Sequence, residues 1–142
     1  MKLSEIAAVN GKGGLFKVLK PAKSGLILES LDEAKSKLVA SGSHKVSLLD
    51  EISIYTNTKE GTVDLEDVLQ KIYSEFKDDL GLDANADASE LKAFLKSVLP
   101  EYDESRVYVS DIKKLVKWYM ILLTVAPEIL KGEEKKAKEK KH

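Results

Sequence analysis

Near residue 60 the chain changes its hydropathy period. Before that point apolar residues come in short runs and alternating stretches broken by Gly, Ser and Pro; after it they recur at helical spacing up to residue 130. A pleated strand repeats every second residue and a helix about every 3.6, so the first part reads as strands and the second as helices. The expected class is α+β: a small SH3-like or Sm-like antiparallel β-barrel over residues 1–60, a three-helix unit over 61–130, and a charged Lys/Glu tail over 131–142 that is expected to be disordered.

Within the first part, residues 3–9 suit one or two helical turns, and the glycines of Asn10-Gly11-Lys12-Gly13-Gly14 end them. Strands are expected at Leu15–Lys20, stopped by Pro21, at Leu26–Leu31 and at Lys37–Ala40. Glu51–Thr56 alternates, with Ile52 and Ile54 on the core side, and Thr62-Val63 is a candidate fifth strand. A curled sheet covered by a helix fits nearly as well as a closed barrel, although closure would remove exposed edges.

The helical part has clearer punctuation. Asp64 is an expected N-cap, followed by a face of Leu65, Val68, Leu69, Ile72, Tyr73 and Phe76, with Gly81 as the stop. Asp87-Ala88-Ser89-Glu90 resembles a capping box, and Leu91, Phe94, Leu95, Val98 and Leu99 follow until Pro100. A third helix is expected from Ser110-Asp111, with Ile112, Leu115, Val116, Tyr119, Met120 and Leu123 inward. It has a second apolar face, Trp118, Ile121, Leu122 and Val125, so it either runs through the domain or meets another subunit; the chain length favours the first.

Composition excludes several classes. There is no cysteine among the 142 residues, so disulfides and thiol chemistry are absent, in keeping with a reducing compartment. Met1-Lys2-Leu3-Ser4-Glu5-Ile6 lacks the apolar core of a signal peptide, and Trp118–Ala126 is far shorter than the roughly 20 residues of a membrane span; a cytoplasmic protein without membrane contact is expected. Net charge is −1 but uneven: residues 1–60 hold nine lysines and seven acids, residues 61–130 eight bases and fourteen acids, and residues 131–142 six lysines and three glutamates. That is not the balance of a strongly basic nucleic-acid binder.

No catalytic motif stands up. The glycines at 11–14 precede a strand and lack the Gly-Lys-Ser/Thr of a phosphate loop, so they read as a turn. Asp83-Ala84-Asn85-Ala86-Asp87 opens like a calcium loop, but Ala88 and Phe94 stand where Gly and a bidentate Glu are needed. His44 is the only internal histidine, beside Lys45 in a Ser/Gly loop, with no Cys and no nucleophile elbow to work with. No enzyme activity, metal or cofactor is expected. A non-enzymatic module that binds another protein, with a homodimer as one form, is the expected function, and its candidate contacts are Tyr102, Tyr108, Trp118, His44 and Lys45. The alternative is RNA or single-stranded nucleic acid held on a lysine face of the barrel, with Phe16 and Tyr55 as the only aromatics there and Arg106 the only arginine in the chain.

Three stretches carry a resemblance: Gly11–Lys17 with Gly25–Leu31, Ser43–Ser47 with Leu49–Thr56, and Arg106-Val107-Tyr108-Val109-Ser110-Asp111-Ile112-Lys113-Lys114 with Trp118-Tyr119. Over roughly residues 1–123 the chain resembles a family of uncharacterised Bacteroidetes proteins with an N-terminal domain of unknown function. Met120 stands where that family's pattern has a polar residue after Trp-Tyr. The resemblance implies a bacterial cytosolic protein and carries no activity with it.

Overall fold

The computed structural model describes residues 2–11, 14–23, 25–32, 35–41, 45–83 and 85–132. It divides into two compact units, Met1–Ile52 and Ser53–His142. The division precedes the change of period near residue 60, because the last strands pair with each other inside the second unit.

In the first unit a 3-10 turn (Leu3–Glu5) leads into β1 (Ile6–Val9), then β2 (Phe16–Ala22), β3 (Gly25–Ser30), β4 (Lys37–Ser41) and β5 (Val46–Leu48), closed by a second 3-10 turn (Leu49–Glu51). All pairs are antiparallel, in the order β4-β3-β2-β1-β5. The expected closed barrel is not formed: among the described residues β4 and β5 are the two edges of an open sheet and do not pair.

The expected helical turns at 3–9 are corrected to a strand after one 3-10 turn. Ile6, Ala7 and Val9 are buried on a strand that pairs with β2 over its first residues and with β5 over its last, and a short, continuous apolar run does not reveal its period. Nor does Pro21 stop β2; it pairs with Leu26. Since β1 pairs only with Phe16 and Lys17, β2 has β3 as its one neighbour near Pro21, and a residue without an N–H is tolerated there.

Side-chain alternation fixes which face is the core. Val9, Phe16, Leu28 and Ala40 are buried together, with Val18, Leu26, Leu38 and Val46 packed on them. The cross-strand rows Val18–Leu28–Leu38 and Leu26–Ala40 lie on that side. A bulge between Val18 and Lys20 inserts Leu19, so Lys20 pairs with Ile27 and falls on the opposite face, with Val39. Strict alternation would have driven the lysine into the core. At the other end of the strand Gly25 is obligatory: a Cβ there would sit 1.7 Å from the Ala40 carbonyl oxygen. The β3–β4 turn is held by Ser30, whose Oγ donates to Asp32 Oδ1 (2.8 Å) and accepts from the Ser36 N–H (2.8 Å).

The second unit opens with β6 (Ser53–Tyr55) and β7 (Thr62–Asp64), a two-stranded sheet of its own. Thr62-Val63 is therefore not a fifth strand of the first sheet, and Ile52, expected on a strand, lies just before β6. Four helices follow: α1 (Leu65–Phe76), α2 (Ala88–Val98), α3 (Val109–Val125) and α4 (Pro127–Lys131). The fourth, absent from the three-helix expectation, exists because Pro127 cannot continue α3 but suits the first position of a new helix. Lys131 belongs to α4 and Gly132 caps it, so the tail begins later than expected; residues 133–142, where disorder was expected, lie outside the described residues.

Helix ends are partly as read. Asp87 caps α2, accepting the Glu90 N–H at 2.9 Å. Asp64 occupies the N-cap of α1 without a side-chain capping bond, and α1 ends at Lys77 (φ +56°, ψ −119°) rather than Gly81. The Tyr119 hydroxyl, from α3, donates to the Lys77 carbonyl and fastens that turn. Leu65, Val68, Leu69, Ile72, Leu91, Phe94, Leu95 and Val98 are buried. In α3 the buried residues are Ile112, Leu115, Val116, Tyr119 and Leu122, while Met120 is exposed and Leu123 half-buried, against expectation. A helix apolar on two sides does not say from its sequence which stripe faces inward.

Candidate binding surface

The segment between α2 and α3 is stitched to the hairpin. Asp103 N–H donates to the Tyr55 carbonyl (2.9 Å), Asn57 N–H donates to the Glu101 carbonyl (2.7 Å), and Thr56 bridges Tyr102. Residues 101–103 thus add a short third rung beside β6. Val107 is buried and anchors the far side of the loop.

Asp103 organises the turn from Glu104 to Val107. Its Oδ1 accepts from the Ser105 hydroxyl (2.6 Å) and the Ser105 N–H (2.9 Å), while its carbonyl accepts from the N–H groups of Arg106 (3.1 Å) and Val107 (2.9 Å). The bonds from Ser105, with a smaller contribution from the Arg106 charge, hold its carboxyl below the usual aspartate value. Asp103 Oδ2 also lies 3.6 Å from Arg106 Nε. Braced this way, the guanidinium lies over the Tyr55 ring, 5.4 Å from its centroid. Two residues on, Tyr108 heads α3, its N–H bonded to Asp111 Oδ2 (2.9 Å). Among the side chains left to solvent are Tyr55 (47% exposed), Arg106 (65%) and Tyr108 (66%), with Glu101, Glu104 and Ser105 exposed beside them.

The expected contact residues separate. Tyr108 is exposed as expected. Tyr102 is not: it is 2% exposed, and burial, followed by the Glu104 carboxylate its hydroxyl reaches at 3.4 Å, holds its phenol above the usual tyrosine value. It is a fastener between loop and hairpin, not a contact. Trp118 is half-buried on α3. Lys45 belongs to the other unit, exposed, with its carbonyl accepting the Asn10 N–H (2.9 Å); His44 lies outside the described residues. Tyr55 was expected only as an aromatic of the nucleic-acid alternative; alternation places it opposite Ile54, and its pairing with Arg106 needed the fold. Among the described residues, no group of three or more His, Asp or Glu side chains is placed to hold a metal ion.

Among the described residues, an acidic side chain interrupts the lysines of the first sheet. Lys17, Lys20 and Lys37 share the outer side of the sheet, but Glu29 pairs with both Lys17 and Lys37 and stands between them. Among the described residues no helix is long and apolar enough to cross a membrane.

Two family models match the chain: Domain of unknown function (DUF5606) over residues 3–49, and Domain of unknown function (DUF6852) over residues 52–122. The first range lies within the first unit and the second, apart from Ile52, within the second. A solution NMR structure of a Bacteroides vulgatus protein, determined as a structural genomics target, is similar at 38% identity, with 85% of each chain covered and a TM-score of 0.65. No curated protein matches.

Proposed function

Because the chain belongs to the family of the domain of unknown function DUF6852, preceded by DUF5606 in the manner of an uncharacterised Bacteroidetes-type protein, we propose its role from surface chemistry: a non-enzymatic module that binds another protein through Tyr55, Arg106 and Tyr108. One observation carries the reading. The Arg106 guanidinium, with its Nε 3.6 Å from Asp103 Oδ2, lies over the exposed Tyr55 ring, 5.4 Å from the centroid. Arginine and tyrosine are residue types that concentrate binding energy at interfaces. The surface suits a partner that offers hydrogen-bond acceptors to Arg106 and apolar area to the two rings. The cytoplasm is the proposed compartment, in keeping with a chain that has no cysteine.

The test compares the full chain with a Tyr55→Ala/Arg106→Ala/Tyr108→Ala variant as baits in a cell lysate, with Lys17→Gln/Lys37→Gln as the control. A protein retained by the wild type and the lysine variant, then shown by titration with purified protein to bind the triple variant at least tenfold more weakly, supports the reading. Equal retention of every captured protein by all three baits refutes it. The second reading, single-stranded nucleic acid on the outer sheet face, is favoured by Lys17, Lys20 and Lys37 lying on one side; it predicts salt-dependent RNA binding that the lysine variant loses.

A further inference from the structure

Asparagine stands at positions 10, 57 and 85 of the chain, and only Asn10 is followed by glycine. Asn10 and Gly11 are exposed and form the turn that leaves β1. Gly11 holds φ +85°, and a Cβ built on it would meet nothing within 4 Å. Its backbone nitrogen is therefore free of the crowding that a following side chain imposes. Among the described residues neither the Asn10 side-chain amide nor the Gly11 N–H makes a hydrogen bond. The Asn10 N–H does, to the Lys45 carbonyl at 2.9 Å, so the residue is anchored on the side away from the Asn10–Gly11 peptide. The other two asparagines are placed differently. Thr58 follows Asn57 with a branched Cβ, and the nitrogen that follows Asn85, that of Ala86, is engaged with the Asp83 carbonyl at 3.1 Å.

We propose that Asn10–Gly11 is a self-modifying site, at which the folded chain converts its own asparagine to aspartate and isoaspartate. The Gly11 nitrogen gives its proton to hydroxide and attacks Asn10 Cγ. The new C–N bond closes a five-membered succinimide, and the side-chain nitrogen leaves as ammonia with a proton from water. Water then opens the ring at either carbonyl. Breaking the new Cγ–N bond restores an ordinary peptide with aspartate; breaking the original C–N bond routes the main chain through Cβ and Cγ and frees an α-carboxylate. The balance is amide plus water to carboxylate plus ammonium, with nothing oxidised or reduced. The reaction is intramolecular and needs no partner but water. Either product takes the net charge from −1 to −2, and isoaspartate also lengthens the main chain by one methylene between β1 and β2. The Asn10 N–H precedes the altered link, so its bond to Lys45 is kept. The site is independent of the Tyr55–Arg106–Tyr108 surface, which lies in the other unit.

The test incubates the full chain, folded and in urea, at neutral and mildly alkaline pH, then cleaves it after lysine and weighs the peptides. In the folded chain the peptide Leu3–Lys12 is expected to gain one dalton, the difference between an amide NH2 and a hydroxyl, before any change reaches the peptides that hold Asn57 and Asn85. The rate is expected to rise with hydroxide, and part of the product is expected to resist a protease that cuts before aspartate but not before isoaspartate. Asn10→Gln, whose side chain would have to close a six-membered ring, is expected to release no ammonia over the same time. A chain that loses Asn10 in urea and keeps it when folded overturns the proposal, because the turn then withholds the reaction. So does an equal rate at Asn57 or Asn85 in the folded chain. A product that the protease cuts completely overturns the succinimide route.

Discussion

Replacing Tyr119 with Phe removes one oxygen from a side chain that is 0% exposed and keeps the ring, so no cavity opens. What disappears is the bond to the Lys77 carbonyl at the end of α1. Deleting one partner of a buried bond costs about 1–2 kcal/mol, and that is the expected loss at pH 7. Alkaline pH should close that gap. Burial, then the neighbouring Tyr73 and Asp78, push the Tyr119 phenol from 10.0 up to about 12. Below pH 10 both folded and unfolded chains keep the proton and stability is unaffected. Between pH 10 and about 12 the unfolded chain gives it up first, so the wild type loses stability, by about 1.4 kcal/mol at pH 11 and about 2.3 kcal/mol at pH 12. The phenylalanine variant has no such proton. Urea unfolding at pH 7, 9, 10 and 11, followed by the fluorescence of Trp118, the only tryptophan, reads the unit that contains the change. The gap between the two proteins should be constant from pH 7 to 9 and close near pH 11. Equal stability at pH 7, or a gap that does not change by pH 11, would refute the reasoning.

Three further substitutions test single contacts. Gly25→Ala forces a Cβ into the Ala40 carbonyl and should lose the β3–β4 pairing, at a cost of about 3 kcal/mol or more; amide exchange at Leu26–Leu28 and Leu38–Ala40 that stays protected would count against it. Lys77→Gly should stabilise the second unit by about 1 kcal/mol, since glycine adopts φ +56°, ψ −119° without its Cβ penalty; a lower urea midpoint would show that the Lys77 ammonium over the Tyr73 ring, at 4.7 Å, matters more. Asp87→Ala should cost about 1 kcal/mol by freeing the Glu90 N–H, and Asp87→Asn should recover most of it; an unchanged midpoint in the alanine variant would remove the cap from the account.

Helices were legible where chemistry and period agreed. Asp87 is a residue with one obvious job at the head of an apolar stripe, and both the cap and the stripe are there. The misses share a cause: long-range pairing decided what local pattern left open. Ile6–Val9 is strand only because β2 and β5 flank it, and Val46–Leu48 is too short to show alternation before β1 gives it a partner. Tyr102 and Tyr108 are the same residue type six positions apart, yet one is buried by its bridge to Thr56 and the other heads a helix in solvent. Arg106 was visible as the single arginine, but nothing in the chain announced that a loop more than forty residues downstream of Tyr55 would lay it on that ring.

The extra residue at Leu19 gives β2 two phases of alternation, one before it and one after. Such a strand behaves like a reading frame. Leu19 is 40% exposed, so many residue types can stand there at little cost. Its deletion should be tolerated as well, because Lys20 would then follow Val18 directly and keep its place opposite Ile27, with Pro21 still opposite Leu26. The strand therefore carries one residue that the ladder does not count, and the faces of its neighbours are set without it.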